Sequence, residues 1–255
     1  MDDLSRKTVS IIGGTGFVGR ALTEKLLKAG ARVIVLARNG DRAKQLKTGG
    51  TIGQLTAIPG NALNDDDLLS VISPADILIN LVGILAPSGQ QTFSALQAEL
   101  PVRIGRMAKH VGCQQIVHIS ALGADLKSPS IYARTKAEGE RGLLRQFPDA
   151  VILRPSIIFG PGDNFFNRFG RMAMFAPALP LIGGGTTLMQ PVYVGDVADA
   201  VLAALATEES KGRIYQLGGP QTYSFADLMR FTMTCVGRRR LLLPIPFSVA
   251  SLPAA

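Results

Sequence analysis

Apolar residues in this chain fall into short unbroken runs closed by glycine, proline or polar turns, and between those runs they return every third or fourth position. Unbroken runs mark strands buried on both faces of a parallel sheet, which have no solvent side to make polar. The three-to-four spacing marks helices that lay one apolar stripe on that sheet. Six strands follow: Thr8–Ile12, Ala31–Ala37, Leu55–Pro59, Asp76–Asn80, Ile116–Ile119 and Ala150–Leu153. The first helix runs from about Phe17 to Ala29, with Leu22, Leu26 and Leu27 as its buried face and Gly30 as its stop. Another starts near Asn64, where Asp65, Asp66 and Asp67 suit the positive end of the helix dipole. A long one is expected from about Thr92 to Val111, interrupted by Pro101, and a fourth through Tyr132 to about Gln146. Asp196 is expected to cap a helix over Val197–Leu205, and Asp163-Asn164 to open one after the Gly160-Pro161-Gly162 turn. Alternation of this kind predicts an α/β fold with a doubly wound parallel sheet. Residues 1–160, completed by 187–206, are expected to form it, and 161–186 with 207–255 a smaller C-terminal region.

The first strand runs straight into a turn with glycines at 13, 16 and 19. Gly13 can take backbone angles closed to residues with a Cβ, Gly16 lets the chain approach a pyrophosphate, and Gly19 lets the following helix pack closely on the strand. The helix then directs its N-terminal amides at the phosphates. The end of the second strand decides between dinucleotides. Arg38-Asn39 stands where an NAD-selective site carries a carboxylate, and a guanidinium there suits the extra phosphate of NADP. Arg42, Lys44 and Lys47 lie close by, so a merely solvated loop cation is the competing reading of Arg38.

A length of 255 residues, 47% of them hydrophobic, supports one large α/β unit with a smaller appendage. Cys113 and Cys235 make neither a metal nor a disulfide pattern, so no metal site is expected and a reducing compartment is. The first seven residues have no hydrophobic signal region and no transit character, which predicts a cytosolic protein, bacterial or already processed, with the bacterial cytoplasm as the expected location. No apolar run reaches the roughly 18 residues of a spanning helix, and peripheral membrane attachment stays open. The net charge of +8 is spread over clusters that read as solvated helix faces, and no nucleic-acid partner is expected. Arg238-Arg239-Arg240 differs, because it leads into Leu-Leu-Leu-Pro-Ile-Pro-Phe, an apolar segment whose prolines forbid a long helix. Such a junction suits an anionic membrane surface or an acidic partner, against a tail packed on its own domain.

Tyr132 and Lys136 share one face of a helix at i and i+4. An ammonium beside the phenol would lower its pKa and could hold a nicotinamide ribose, the acid/base device of hydride transfer.

Taken together, Gly-Gly-Thr-Gly-Phe-Val-Gly at 13–19, Asn80, Tyr132 with Lys136, Leu-Arg-Pro-Ser-Ile-Ile-Phe-Gly-Pro at 153–161 and Pro-Val-Tyr-Val-Gly-Asp-Val-Ala at 191–198 resemble an atypical extended short-chain dehydrogenase/reductase across essentially the whole chain. Val-His-Ile-Ser-Ala-Leu-Gly-Ala-Asp at 117–125, Ser-Ile-Tyr-Ala-Arg-Thr-Lys-Ala-Glu-Gly-Glu at 130–140, Gln-Pro-Val-Tyr-Val at 190–194 and Leu-Pro-Ile-Pro at 243–246 resemble one branch of it, the NADPH-binding accessory subunits of respiratory complex I and their bacterial relatives. The resemblance implies a Rossmann sheet with a substrate-side C-terminal subdomain and NADPH or NADP as cofactor. It implies cofactor contacts at Gly13, Thr15, Gly16, Phe17, Val18, Gly19, Arg38, Asn39, Asn61, Ala62, Leu81, Val82, Gly83, Ser120, Tyr132, Lys136, Pro155 and Ile157. It also implies complex I subunits as partners and a peripheral place on the inner face of the bacterial cytoplasmic membrane, or the matrix side in a mitochondrion. One departure stands out. Dehydrogenases of this kind place a serine or threonine one or two residues beyond the first serine of the fifth strand's end, and those positions here are Ala121 and Leu122. Ser120 is the strand-end serine, with a hydroxyl expected to serve the backbone, and a substrate role for it competes with that reading. His118 is expected to be a structural histidine, and Arg154 and Pro155 to shape the nicotinamide pocket. The favoured function is an accessory subunit that holds NADP(H) without turning it over. The alternative is an active NADP-dependent reductase of a small carbonyl or quinone-related compound, with Tyr132 as acid. The ending Ser-Leu-Pro-Ala-Ala is abrupt for such a family, and whether the C-terminus is truncated stays open.

Overall fold

The computed structural model describes residues 4–38, 46 and 50–246. Two compact units are present, Met1–Pro155 with Val194–Leu217, and Ser156–Tyr193 with Gly218–Ala255.

The first unit is built on a seven-stranded sheet of β1 (Thr8–Ile12), β2 (Arg32–Ala37), β3 (Leu55–Pro59), β4 (Ile77–Asn80), β5 (Gln115–Ile119), β6 (Val151–Pro155) and β7 (Ile214–Leu217). All pairings are parallel, and the order is β7-β6-β5-β4-β1-β2-β3. The six expected strands appear within a residue or two of their expected bounds. β7 is new: it comes from the stretch 207–255 read above as part of the smaller region, and it extends the large sheet by pairing Ile214 with Ile152. The chain order reverses between β1 and β4, which opens a crevice at the carboxyl ends of those strands. Leu81 N–H donates to Ile12 O at 2.9 Å, so the loop after β4 is fastened to the end of β1.

Helices α1 (Phe17–Lys28), α2 (Asp65–Ile72), α3 (Leu100–Val111), α4 (Ile131–Gln146) and α5 (Val194–Ala206) cover the sheet. Leu68, Ile72, Leu100, Ile104 and Leu143 form one core with Ile12, Leu36, Leu78 and Ile116 of the strands. On the other face α1 packs against α5. Asn64 caps α2, its side chain accepting from Asp67 N at 3.0 Å, as Asp65–Asp67 in the first turn require. The long helix expected over Thr92–Val111 is in fact a π-helix, Ser94–Glu99, followed by α3. Pro101 does not interrupt it, because the residue lies in the first turn of α3, where a missing N–H costs nothing. Asp196 is not an N-cap: α5 starts three residues earlier than expected, so the carboxylate lies inside its first turn, still at the positive end of the dipole.

In the second unit the helices Phe166–Phe175 and Phe225–Cys235 share a core of Ala173, Leu179, Leu181, Phe225, Leu228 and Met229. Phe165, Phe169 and Phe225 meet edge to face, with centroids 5.2 to 6.1 Å apart. Asp163 opens the first helix, its Oδ1 accepting from Phe166 N at 2.6 Å. Ser224 and Asp227 form a capping box on the second. The apolar segment after the arginine triplet is a strand, Leu241–Ile245, paired in parallel with Ala178–Ile182. Arg240 donates to Ala173 O at 2.8 Å and to Met174 O at 3.2 Å, which satisfies carbonyls at the negative end of the first helix.

Candidate functional site

The crevice at the strand reversal is a groove of about 170 Å³. Its rim is the turn after β1 (Gly13, Thr15, Gly16), the end of β2 (Leu36, Arg38), the loop after β3 (Gly60, Asn61, Ala62) and the loop after β4 (Leu81, Val82, Gly83, Ile84), with Gln91 and Leu96 closing it. Gly13 has φ +90°, and a Cβ there would lie 3.2 Å from Leu81 C and 3.3 Å from Val82 N. At Gly19 a Cβ would meet Gly14 O at 2.4 Å, so only glycine lets α1 start so close to the turn. No side chain caps the N-terminus of α1, which leaves its first amides open to an anion. Arg38 is exposed and makes no side-chain hydrogen bond or ion pair among the described residues. A pyrophosphate with a further phosphate near Arg38 therefore meets unspent donors of the right kind. Asn39 lies outside the described residues.

Behind the groove, α4 brings Lys136 to 3% exposure, with Nζ donating to Ile119 O at 3.3 Å. A Cβ on Gly83 would stand 3.2 Å from that Nζ, so the loop after β4 and the lysine are in close apposition. Burial pushes the Lys136 ammonium down to about 8, partly offset by Glu140. Tyr132 is half-buried, its ring edge-on to Phe93 at 6.0 Å. The expectation that Lys136 lowers the phenol's pKa is not met. Burial pushes Tyr132 up, and the ammonium places one of its three donors on the Ile119 carbonyl rather than on the phenol. Ser120 also differs from expectation. Its N–H donates to Leu153 O at 2.8 Å, but its buried Oγ has no partner at all, in the backbone or elsewhere among the described residues. That hydroxyl is free for a ligand. His118 Nε2 is likewise buried and unpartnered, while Nδ1 meets Asn80 Nδ2 at 3.0 Å. Arg154 is engaged by Glu140 in a two-pronged pair through Nε and Nη2, 2.9 Å and 2.5 Å, which ties β6 to α4.

Of the other residues named from the sequence, Phe17, Val18 and Gly19 form the first turn of α1 without lining the groove. Pro155 ends β6 and accepts from Leu122 N at 2.9 Å. Ile157 belongs to the second unit, where its carbonyl accepts from Val192 N. Sequence reasoning missed Ile84, Gln91 and Leu96 on the groove wall and missed Gln97. This buried glutamine donates to Ile84 O at 2.7 Å and accepts from Thr135 Oγ1 at 2.9 Å. The one available signal was a polar residue on the apolar face of the Thr92–Val111 pattern.

A sequence model of the NAD dependent epimerase/dehydratase family matches residues 9–218. The chain belongs to that family. Solved structures of similar epimerases and dehydratases share its fold, among them the dTDP-glucose 4,6-dehydratase of Streptomyces venezuelae with NAD and TYD bound, at TM-score 0.82 and 19% identity over 94% of this chain and 84% of that one. This epimerase/dehydratase-family chain is also 34% identical over 249 residues to NADH dehydrogenase (ubiquinone) 1 alpha subcomplex subunit 9, mitochondrial, of Arabidopsis thaliana, covering 96% of this chain and 62% of that protein. It is 32% identical over 250 residues to the mouse protein of the same name, covering 97% and 66%. The chain thus spans somewhat less than two thirds of the length of these relatives.

Proposed function

We propose that this chain is an accessory subunit of respiratory complex I that holds NADP(H) as a structural element and does not turn it over. Two relatives that bear a complex I subunit's name match it along 96% and 97% of its length, which supports complex I as the partner. In this reading the Gly13–Gly16 turn and the α1 amides hold the pyrophosphate, Arg38 takes the extra phosphate of NADP, and Lys136 beside Gly83 holds the far ribose. When bound, the nucleotide would supply hydride chemistry. The observation that carries the non-catalytic reading is the missing donor: Ala121 and Leu122 offer no hydroxyl for a carbonyl, which leaves Ser120 Oγ, among the described residues, as the one free hydroxyl at the end of β5, and Lys136 gives its hydrogen bond to Ile119 O rather than to Tyr132. A preorganised donor of that sort is worth on the order of 3 kcal/mol in a transition state. A held nucleotide needs none of this, since binding alone stabilises the fold. No helix among the described residues is long and apolar enough to cross a membrane, which fits peripheral attachment on the inner, or matrix, face.

Protein purified without added nucleotide is expected to carry NADP(H) rather than NAD(H) by mass spectrometry, and Arg38→Asp to reverse the preference. Tyr132→Phe is expected to keep both the nucleotide and comigration with complex I in solubilised membranes. A carbonyl-dependent NADPH oxidation by the wild type that Tyr132→Phe abolishes would establish the reductase instead.

A further inference from the structure

The second unit contains a cavity of about 580 Å³, within the usual range for a ligand pocket. Its walls are aromatic and aliphatic. Phe159 stands edge-on to Phe166 at 6.1 Å, Phe166 edge-on to Phe231 at 6.1 Å, and Tyr223 and Leu228 complete the apolar surface. Phe231 is 60% exposed although the same unit buries Phe225 almost completely, so a large ring is left in water at the cavity's edge. A lone exposed ring needs no explanation, but Phe231 and Tyr223, 40% exposed, line the same cavity as Phe159, Phe166 and Leu228, and a shared apolar lining of this kind suits a ligand.

The polar groups on the wall are already committed. Asp163 accepts from Phe166 N and Asn167 N, Asp227 from Ser224 Oγ and Arg230 Nη1, and Gln221 Oε1 from Tyr223 Oη at 2.6 Å. Among the described residues no lysine or arginine lines the cavity, and two carboxylates do. The Ser224 hydroxyl holds the Asp227 carboxyl below the usual carboxylate range, so this group is anionic at neutral pH. A phosphate or a fatty carboxylate would enter beside the Asp163 carboxylate and an Asp227 already paired with Arg230, and no lysine or arginine on the wall would receive it. A ligand without charge would lose nothing there and would bury its apolar area against the rings.

We infer that this cavity is a binding site for the hydrocarbon chain of an uncharged lipid, prenyl or alkyl, held between Phe159, Phe166, Phe231 and Leu228. The inference does not depend on the nucleotide reading, because every residue in it belongs to the second unit. The full chain is to be titrated with the neutral fluorescent probe N-phenyl-1-naphthylamine and the bound probe competed with farnesol, with dodecanol and with UDP-glucose. Saturable binding of one probe per chain, displaced by the two alcohols and untouched by UDP-glucose, is the expected result, and the tighter alcohol tells prenyl from alkyl. Phe231→Glu is expected to weaken the probe by on the order of tenfold, since it puts a charge at an apolar contact. Phe175→Glu, at a ring 88% exposed and outside the cavity, is expected to leave binding unchanged. A melting curve for each variant separates lost binding from lost fold, and Phe231→Ala serves as the second variant. Non-saturable binding, displacement by UDP-glucose, or equal weakening by Phe175→Glu overturns the assignment.

Discussion

Two bases are buried in the first unit, and the charge on one makes a proton on the other more costly. The ring of His118 is fully enclosed, and Lys136 adds a repelling charge, so its pKa falls from 6.5 to about 3. The hydrogen-bond network assigns its tautomer. Val82 N donates to Asn80 Oδ1 at 3.1 Å, which leaves Asn80 Nδ2 to donate to His118 Nδ1 and puts the ring proton on Nε2. The folded protein therefore refuses a proton that the unfolded chain accepts. Stability from this residue is complete above pH 6.5 and is lost as pH falls toward 3, because only the unfolded state binds the proton in that window. Between pH 6.5 and 4.5 the wild type is expected to lose on the order of 2 kcal/mol more than His118→Gln, which keeps an acceptor for Asn80 and cannot charge. Denaturant titrations of both proteins at the two pH values measure this. Equal losses would show that the acid sensitivity comes from elsewhere. Little of this was legible in the sequence. The place of His118 in a buried strand was, since it stands between Val117 and Ile119, but the absence of a partner for Nε2 depends on how α4 lies over the sheet. Tyr132 misled for the same reason: its i, i+4 spacing to Lys136 is local, whereas the carbonyl that draws the ammonium away is on β5.

At the scale of elements, glycine decides how closely helices approach. A Cβ on Gly139 would lie 1.9 Å from Gln97 O, so α4 touches the backbone of the π-helix directly. Gln97 then links Ile84 of the groove wall to Thr135, next to Lys136, and the π-helix joins groove and lysine in one packed unit. Gly139→Ala is expected to destabilise the protein by about 2 kcal/mol, since overpacking against a backbone costs up to about 3 kcal/mol and exceeds the ~1 kcal/mol that alanine gains over glycine in a helix. Gly142→Ala is the comparison, because its Cβ would meet only the Val102 side chain, which can turn away. A smaller loss for Gly142→Ala than for Gly139→Ala in chemical unfolding is the expected order. Five of the six expected strands were legible from apolar runs that the structure buries, while β3 lies at the sheet edge with none of its residues buried. β7 was not: Ile214 and Tyr215 are exposed at the sheet edge, so its residues carry no burial signal. The π-helix was hidden too, because one extra residue per turn does not disturb the apolar spacing over so short a length.

For the molecule as a whole, a net charge of +8 favours an acidic surface, and the arginine triplet is where the sequence placed that contact. The structure divides the triplet. Arg240 is held by two main-chain carbonyls, whereas Arg238 and Arg239 are exposed and without an ion pair among the described residues. Leu241 and Leu243 follow them, both largely exposed on the strand that pairs with Ala178–Ile182. If the two free arginines dock the chain, their effect is screened by salt, with a reach of about 10 Å at 0.1 M and about 3 Å at 1 M. The double variant Arg238→Glu/Arg239→Glu is then expected to release the protein from solubilised complex I at low salt. The wild type should be released to a similar extent only as salt is raised. Nucleotide content should stay unchanged in the variant, because the groove belongs to the other unit. Arg240→Ala should behave differently, lowering the melting temperature by removing the two bonds to Ala173 and Met174. Comigration of the double variant indistinguishable from wild type at every salt concentration would shift the docking role to the exposed leucines, which salt does not screen.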